Sequence, residues 1–83
     1  MRRLVLYGRP ECHLCDEARE LLTPLVAEAG DVVMVERNID DDDDLHRRFL
    51  ERIPVVELDG RIVGDLVPDR GRLRSILLNN SAR

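Results

Sequence analysis

The chain has 83 residues, which is enough for one domain spanning residues 1–83 and leaves no room for a second. Its net charge of −4 argues against nucleic acid or an anionic membrane as a partner, and no apolar run approaches the roughly 20 residues that cross a bilayer. All 13 basic residues are arginine, so chemistry that needs a lysine, such as Schiff-base formation, is excluded.

The first half of the chain predicts a strand, a helix and a second strand. Residues 4–7 form a short apolar run of β-forming residues, which a Gly-Arg-Pro turn ends. From residue 12 to 29 apolar residues recur at spacings of three and four, which is typical of a helix, and Gly30 is a stop signal. Pro24 lies inside this pattern, so we expect a kink just before it. Residues 32–35 form the second β run, and this strand–helix–strand unit predicts parallel strands.

The second half predicts a short helix, a β-hairpin and a final helix. The acidic run at residues 40–44 lacks the pattern of a calcium loop, and we interpret it as the Asp-capped start of the short helix. Asp59-Gly60 is a type I′ turn signal between two β runs. In chain order, these elements cover residues 42–52, 55–58, 61–63 and 70–78. The whole order is β-α-β-α-β-β-α, a parallel pair followed by a hairpin.

Two cysteines, Cys12 and Cys15, carry the most chemical information. They are too few and too close together to be the disulfide framework of a small secreted domain, and the N-terminus enters a strand pattern directly. We therefore expect no signal peptide and a reducing, cytoplasmic location. The pair lies where a strand passes into a helix, so backbone N–H groups and the helix dipole stabilise a thiolate on Cys12. The spacing places Cys15 about one turn along the helix, where a disulfide can form and break.

Three interpretations of this pair are open at this point. In the first, the Cys12 thiolate attacks a substrate disulfide and the Cys15 thiol resolves the mixed disulfide. In the second, the two thiolates form half of a metal or iron–sulfur site, for which His46 is the only further histidine outside the motif. In the third, the cysteines are only buried packing residues, which suits Cys15 on the apolar helix face better than Cys12. The protein would then be a redox-inert adaptor that keeps the fold for binding.

Two segments of the chain resemble landmarks of the glutaredoxins. In that family a strand ends in tyrosine, a small residue and a basic residue before the cysteine pair, and a later Val/Ile-Pro step with a cis proline precedes a hairpin. The matching segments are Val5-Leu6-Tyr7-Gly8-Arg9-Pro10-Glu11-Cys12-His13-Leu14-Cys15 and Arg52-Ile53-Pro54-Val55-Val56, the latter followed by Asp59-Gly60. The resemblance covers nearly the whole chain. It implies a thioredoxin-like (glutaredoxin-type) α/β fold, a three-layer sandwich around a four-stranded mixed sheet.

The resemblance also implies a role for each matching residue. Cys12 would be the nucleophile and Cys15 the resolving thiol of a thiol–disulfide oxidoreductase that reduces small or protein disulfides. Pro54 would be cis, and the backbone of Ile53 would pair with an extended segment of the substrate. Arg9 stands where the family carries a basic residue that attracts the glutathione carboxylate.

The region that would bind the other end of glutathione differs from the family pattern. Glutaredoxins follow the hairpin with Gly-Gly, a small residue and Asp, whereas here Val63 replaces one glycine and Leu66 stands in the Asp position. Gly64 and Asp65 are the remaining candidate contacts. We expect a monomer with no tightly bound cofactor and no resident metal, and with glutathione as the candidate co-substrate. Its partners would be a protein disulfide or glutathione mixed disulfide, and glutathione or a reductase as electron donor.

Overall fold

The computed structural model describes residues 1–79, so the last four residues of the expected domain lie outside it. The elements are β1 Arg2–Gly8, α1 His13–Ala29, β2 Val32–Asn38, α2 Asp43–Phe49, β3 Val55–Leu58, β4 Arg61–Asp65 and α3 Arg70–Arg74. A 3₁₀ turn at Ile39–Asp41 precedes α2, and the predicted final helix divides into α3 and a π-helical segment at Ser75–Asn79. No helix within residues 1–79 is both long enough and apolar enough to cross a membrane.

The four strands form one mixed sheet in the order β2-β1-β3-β4. β1 pairs in parallel with β2, as the strand–helix–strand pattern predicts, and antiparallel with β3, which continues through a hairpin into β4. Asp59 and Gly60 form the hairpin turn with φ angles of 49° and 85°. A type I′ turn needs positive φ at both central residues, so the predicted turn is confirmed.

Helices cover both faces of the sheet because successive strand residues point to opposite sides. In β1, Leu4 and Leu6 face α1 and α3, whereas Val5 and Tyr7 face α2. The buried cluster on the first face is Leu4, Leu6, Ala18, Leu22, Leu25, Val32, Val56, Leu58, Leu73 and Leu77. The cluster on the second face is Val5, Tyr7, Ile39, Leu45, Phe49 and Val55. The result is the three-layer α/β sandwich that the resemblance implies.

The helix α1 continues through Pro24 for a total of 17 residues. A proline inside a helix removes one backbone hydrogen bond, which is why the sequence predicts a kink there. Pro24 lies on the exposed side, and the hydroxyl of Thr23 donates a hydrogen bond to the carbonyl oxygen of Arg19 at 2.7 Å. The buried face of α1 consists of Cys15, Ala18, Leu22 and Leu25. Packing of this face on the sheet holds the helix, and with it Cys15, in place.

The short helix α2 leads directly into the segment that carries the proline. Asp42 caps it by accepting hydrogen bonds from two backbone N–H groups, so the predicted aspartate cap is confirmed. The helix ends at Phe49, earlier than predicted. Beyond it the Phe49 carbonyl oxygen accepts hydrogen bonds from the N–H groups of both Arg52 and Ile53, at 2.8 and 3.0 Å, and Pro54 has no N–H with which to continue the helix. This tight turn sets the direction in which the chain enters Pro54 and β3.

Candidate active site

Cys12 and Cys15 are joined by a disulfide at the start of α1, with their Cα atoms 5.2 Å apart. Cys12 occupies the N-cap position of the helix, and its Sγ accepts a hydrogen bond from the backbone N–H of Cys15 at 3.1 Å. The first N–H groups of a helix have no partner inside the helix. When the disulfide opens, these donors and the positive end of the helix dipole stabilise negative charge on the Cys12 sulfur.

The two cysteines differ in their access to solvent. Cys15 is 3% exposed and belongs to the apolar face of α1, whereas Cys12 is only partly buried in front of the helix. A thiolate must reach a sulfur of the substrate to attack it. The geometry therefore suits Cys12 to the first attack and Cys15 to closing the internal disulfide.

The Ile53–Pro54 peptide bond is cis, as the resemblance implies. The pairing of β1 with β3 places Pro54, directly before β3, next to Gly8 at the end of β1. Gly8 in turn contacts the cysteine pair, since a Cβ atom built on Gly8 would lie 2.9 Å from Sγ of Cys15. The cis proline and the disulfide therefore lie at the same edge of the sheet.

Arg9, the predicted contact for a glutathione carboxylate, forms an ion pair with Asp40. Its Nη2 lies 3.3 Å from Oδ2 of Asp40, and Nε2 of His46 lies 3.6 Å from the other oxygen, Oδ1. Arg9 also lines an open groove of about 290 Å³ together with Cys15. Its side chain is 41% exposed, so an anionic ligand can compete with Asp40 for it.

The candidate contacts Gly64 and Asp65 are the last two residues of β4, which is longer than the sequence predicts. Oδ2 of Asp65 forms an ion pair with Nε of Arg52 at 2.9 Å. The N–H of Leu66 donates to the carbonyl oxygens of Arg52 and Pro54, at 3.0 Å each. This ion pair and these hydrogen bonds hold the end of β4 against the cis-proline segment. The sequence pattern alone does not predict this role of Arg52, although the residue stands directly before the Ile-Pro step.

The ring of Tyr7 supports the end of β1 from the α2 side. Its centroid lies 4.9 Å from that of Phe49, and its hydroxyl donates a hydrogen bond to Glu57 at 3.2 Å. Burial raises the pKa of Tyr7 above its usual value, and the Glu57 carboxylate raises it further. The phenol therefore stays a neutral donor, and the strand that ends at Gly8 rests on a fixed aromatic pair.

Each of the two histidines pairs with an acidic side chain. His13 pairs with Glu17 at 2.8 Å along α1, and His46 pairs with Asp40. Across residues 1–79, no group of three or more His, Cys, Asp and Glu side chains comes together in a way that could hold a metal ion.

A three-layer α/β sandwich with a Cys-x-x-Cys pair at a helix N-terminus and a cis proline beside it defines the thioredoxin-fold proteins. Within that class the chain belongs to the glutaredoxin-like family, because residues 3–76 match the family model described as Glutaredoxin-like domain (DUF836). No curated protein matches the chain.

Several solved structures are similar to this chain. Protein XcR50 from X. campestris is 40% identical, with a TM-score of 0.72 over 89% of this chain and 93% of that one. Protein Ne2328 from Nitrosomonas europaea is 29% identical, with a TM-score of 0.78 over 92% of this chain and 91% of that one. The oxidised form of mitochondrial thioredoxin 3 from Saccharomyces cerevisiae is 20% identical, with a TM-score of 0.70 over 94% and 77%. At 20% identity, the similarity to thioredoxin 3 shows only that the two proteins share a fold.

Proposed function

We propose that the protein is a thiol–disulfide oxidoreductase that reduces small or protein disulfides through Cys12 and Cys15. The observation that carries the proposal is the disulfide at the N-terminus of α1, in which Cys12 is the more accessible member. The helix N-terminus favours the thiolate form of a cysteine in this position, and the thiolate is the form that attacks disulfides.

The reaction has two exchange steps. The Cys12 thiolate attacks one sulfur of the substrate disulfide, which forms a mixed disulfide and releases one substrate thiolate. Cys15 then gives up its proton and attacks the Cys12 sulfur, which releases the second thiolate and forms the Cys12–Cys15 disulfide. Two electrons pass to the substrate, and two protons complete its thiols. Two molecules of glutathione, or a dithiol reductase, return the protein to its dithiol form.

The cis-proline segment supplies the surface along which an extended substrate lies. Pro54 has no N–H, and the N–H of Ile53 already donates to the carbonyl oxygen of Phe49 at 3.0 Å. Pairing with the substrate backbone therefore uses the carbonyl oxygen of Ile53, which accepts a hydrogen bond from a substrate N–H.

Glutathione is the proposed co-substrate. We propose no tightly bound cofactor. Arg9 attracts one of its carboxylates in exchange for Asp40, while Gly64 and Asp65 lie at the end of β4 to contact the other part of the molecule. The protein is proposed to act as a monomer. The cytoplasm suits this role, because glutathione keeps thiols reduced in that compartment.

A turnover assay with two substrates and two electron donors tests the proposal. The reduced protein is mixed with insulin or with a glutathione mixed disulfide, and is regenerated either by glutathione with its reductase or by thioredoxin reductase. We expect protein-dependent reduction of at least one substrate. Rates no higher than those without the protein, for both substrates and both donors, would contradict the proposal.

Replacing Arg9 with alanine should raise the KM for a glutathione mixed disulfide about fivefold and leave kcat unchanged. The reason is that an exposed ion pair contributes up to about 1 kcal/mol to the binding free energy of the substrate. The matched control is Arg47→Ala, which removes another exposed arginine, one that pairs with Asp44 at 3.2 Å on α2. KM should not change in the control. An unchanged KM in Arg9→Ala would show that Arg9 does not bind the carboxylate.

A further inference from the structure

The backbone conformation at Gly8 does not require a glycine. Gly30 and Gly60 have positive φ angles, which side chains rarely tolerate, whereas Gly8 ends β1 without one. The space beside it is what excludes a side chain. A Cβ atom on Gly8 would lie 2.9 Å from Sγ and 3.1 Å from Cβ of Cys15, well inside the usual contact distance of about 3.5–4.0 Å.

The Cys15 sulfur cannot move easily away from such a Cβ atom in the oxidised protein. The bond to Cys12 fixes the direction in which the Cys15 sulfur points. In the dithiol form that bond is absent, and the Cys15 side chain can turn to another staggered rotamer. The 3.1 Å contact with Cβ of Cys15 is present in both forms, so only the contact with the sulfur distinguishes them. Through that contact a methyl group at position 8 disfavours the oxidised form more than the reduced form.

We infer that Gly8 is a positioning residue that sets the reduction potential of the Cys12–Cys15 pair by leaving room for the Cys15 sulfur in the disulfide. This inference rests on the redox cycling of the pair in the proposed function, but on no particular substrate. The equilibrium that measures it is protein disulfide plus two molecules of glutathione, giving protein dithiol plus glutathione disulfide. Two electrons pass from the glutathione thiols to the protein sulfurs, and two protons move with them.

The test compares the wild type, Gly8→Ala and Gly71→Ala in glutathione redox buffers, with alkylation of the thiols and mass spectrometry as the readout. Gly71 is the matched control because a Cβ atom there would approach no atom more closely than 3.5 Å. We expect Gly8→Ala to increase the equilibrium constant for reduction at least tenfold, which is about 30 mV towards a more oxidising pair. The control should stay within twofold of the wild type. A Gly8→Ala value within twofold of the wild type overturns the inference.

A second comparison covers the case in which Gly8→Ala does not fold. Gly8→Ala is combined with Cys15→Ala, which removes the sulfur that the new methyl group would meet. The Tm loss caused by Gly8→Ala should then be smaller than in the oxidised protein, although the contact with Cβ of residue 15 at 3.1 Å remains in both backgrounds. An equal Tm loss would show that this Cβ contact, and not the sulfur, excludes a side chain at position 8. A shifted potential without reductase activity would leave this inference standing while the proposed function fails.

Discussion

Replacing Cys12 with serine should lower kcat/KM for disulfide reduction by at least about a thousandfold, because a serine hydroxyl cannot replace the thiolate that attacks sulfur. Cys12 is the accessible member of the pair and occupies the helix N-cap, where its sulfur accepts the Cys15 N–H. Serine is itself a favourable N-cap residue, so the variant should keep its helix and its fold. The measurement is the turnover assay with a glutathione mixed disulfide.

Cys15→Ser is the control for this prediction. Cys12 can still attack the glutathione mixed disulfide, and a glutathione thiolate can resolve the product, so this variant should keep much of its activity on that substrate. On a protein disulfide it should stall, because the resolving thiol is absent. Equal losses in both variants on the glutathione substrate would contradict the assignment of separate roles to Cys12 and Cys15.

Replacing Phe49 with alanine should lower the free energy of unfolding by about 3–5 kcal/mol. Phe49 is 1% exposed and joins α2 to the sheet through the ring of Tyr7. The guanidinium carbons of Arg48 and Arg52 also lie over its ring, 4.7 and 5.8 Å from the centroid. Small domains have only about 5–15 kcal/mol of stability in total, so this loss is a large fraction.

Leu50→Ala provides the matched comparison for the stability measurement. Leu50 follows Phe49 directly and is 37% exposed, so its truncation should cost no more than about 1 kcal/mol. Urea unfolding of the oxidised proteins measures both values. A cost of less than 1 kcal/mol for Phe49→Ala would mean that α2 is not anchored through this ring. The cis-proline segment that follows α2 would then need another support.

The order of the elements was predictable from the sequence because it depends on local patterns. Apolar periodicity identified each strand and helix, and Asp59-Gly60 identified the hairpin turn, since positive φ angles are a local property. The cis conformation of the Ile53–Pro54 bond could not be predicted from a local pattern. Most bonds before proline are trans, so only the resemblance to glutaredoxins, and no local rule, indicated it.

The contacts that define the site were not predictable, because they join residues that are far apart in the sequence. Arg9 pairs with Asp40 and Arg52 with Asp65, and each aspartate lies on an element whose position depends on the folded sheet. The closeness of Gly8 to the Cys15 sulfur is likewise a result of how α1 packs on β1. Composition and spacing cannot distinguish such a glycine from one that merely ends a strand.

Trapping the mixed disulfide of Cys12 tests most directly whether Cys12 is the nucleophile of a redox-active pair. Reduced Cys15→Ser and reduced Cys12→Ser are each incubated with glutathione disulfide, and the adducts are followed by mass spectrometry. We expect one glutathione per chain on Cys12 in Cys15→Ser, formed at least about ten times faster than the adduct on Cys15 in Cys12→Ser, because the helix N-terminus favours the thiolate at Cys12. No adduct on Cys12, or equal rates for the two cysteines, would contradict it.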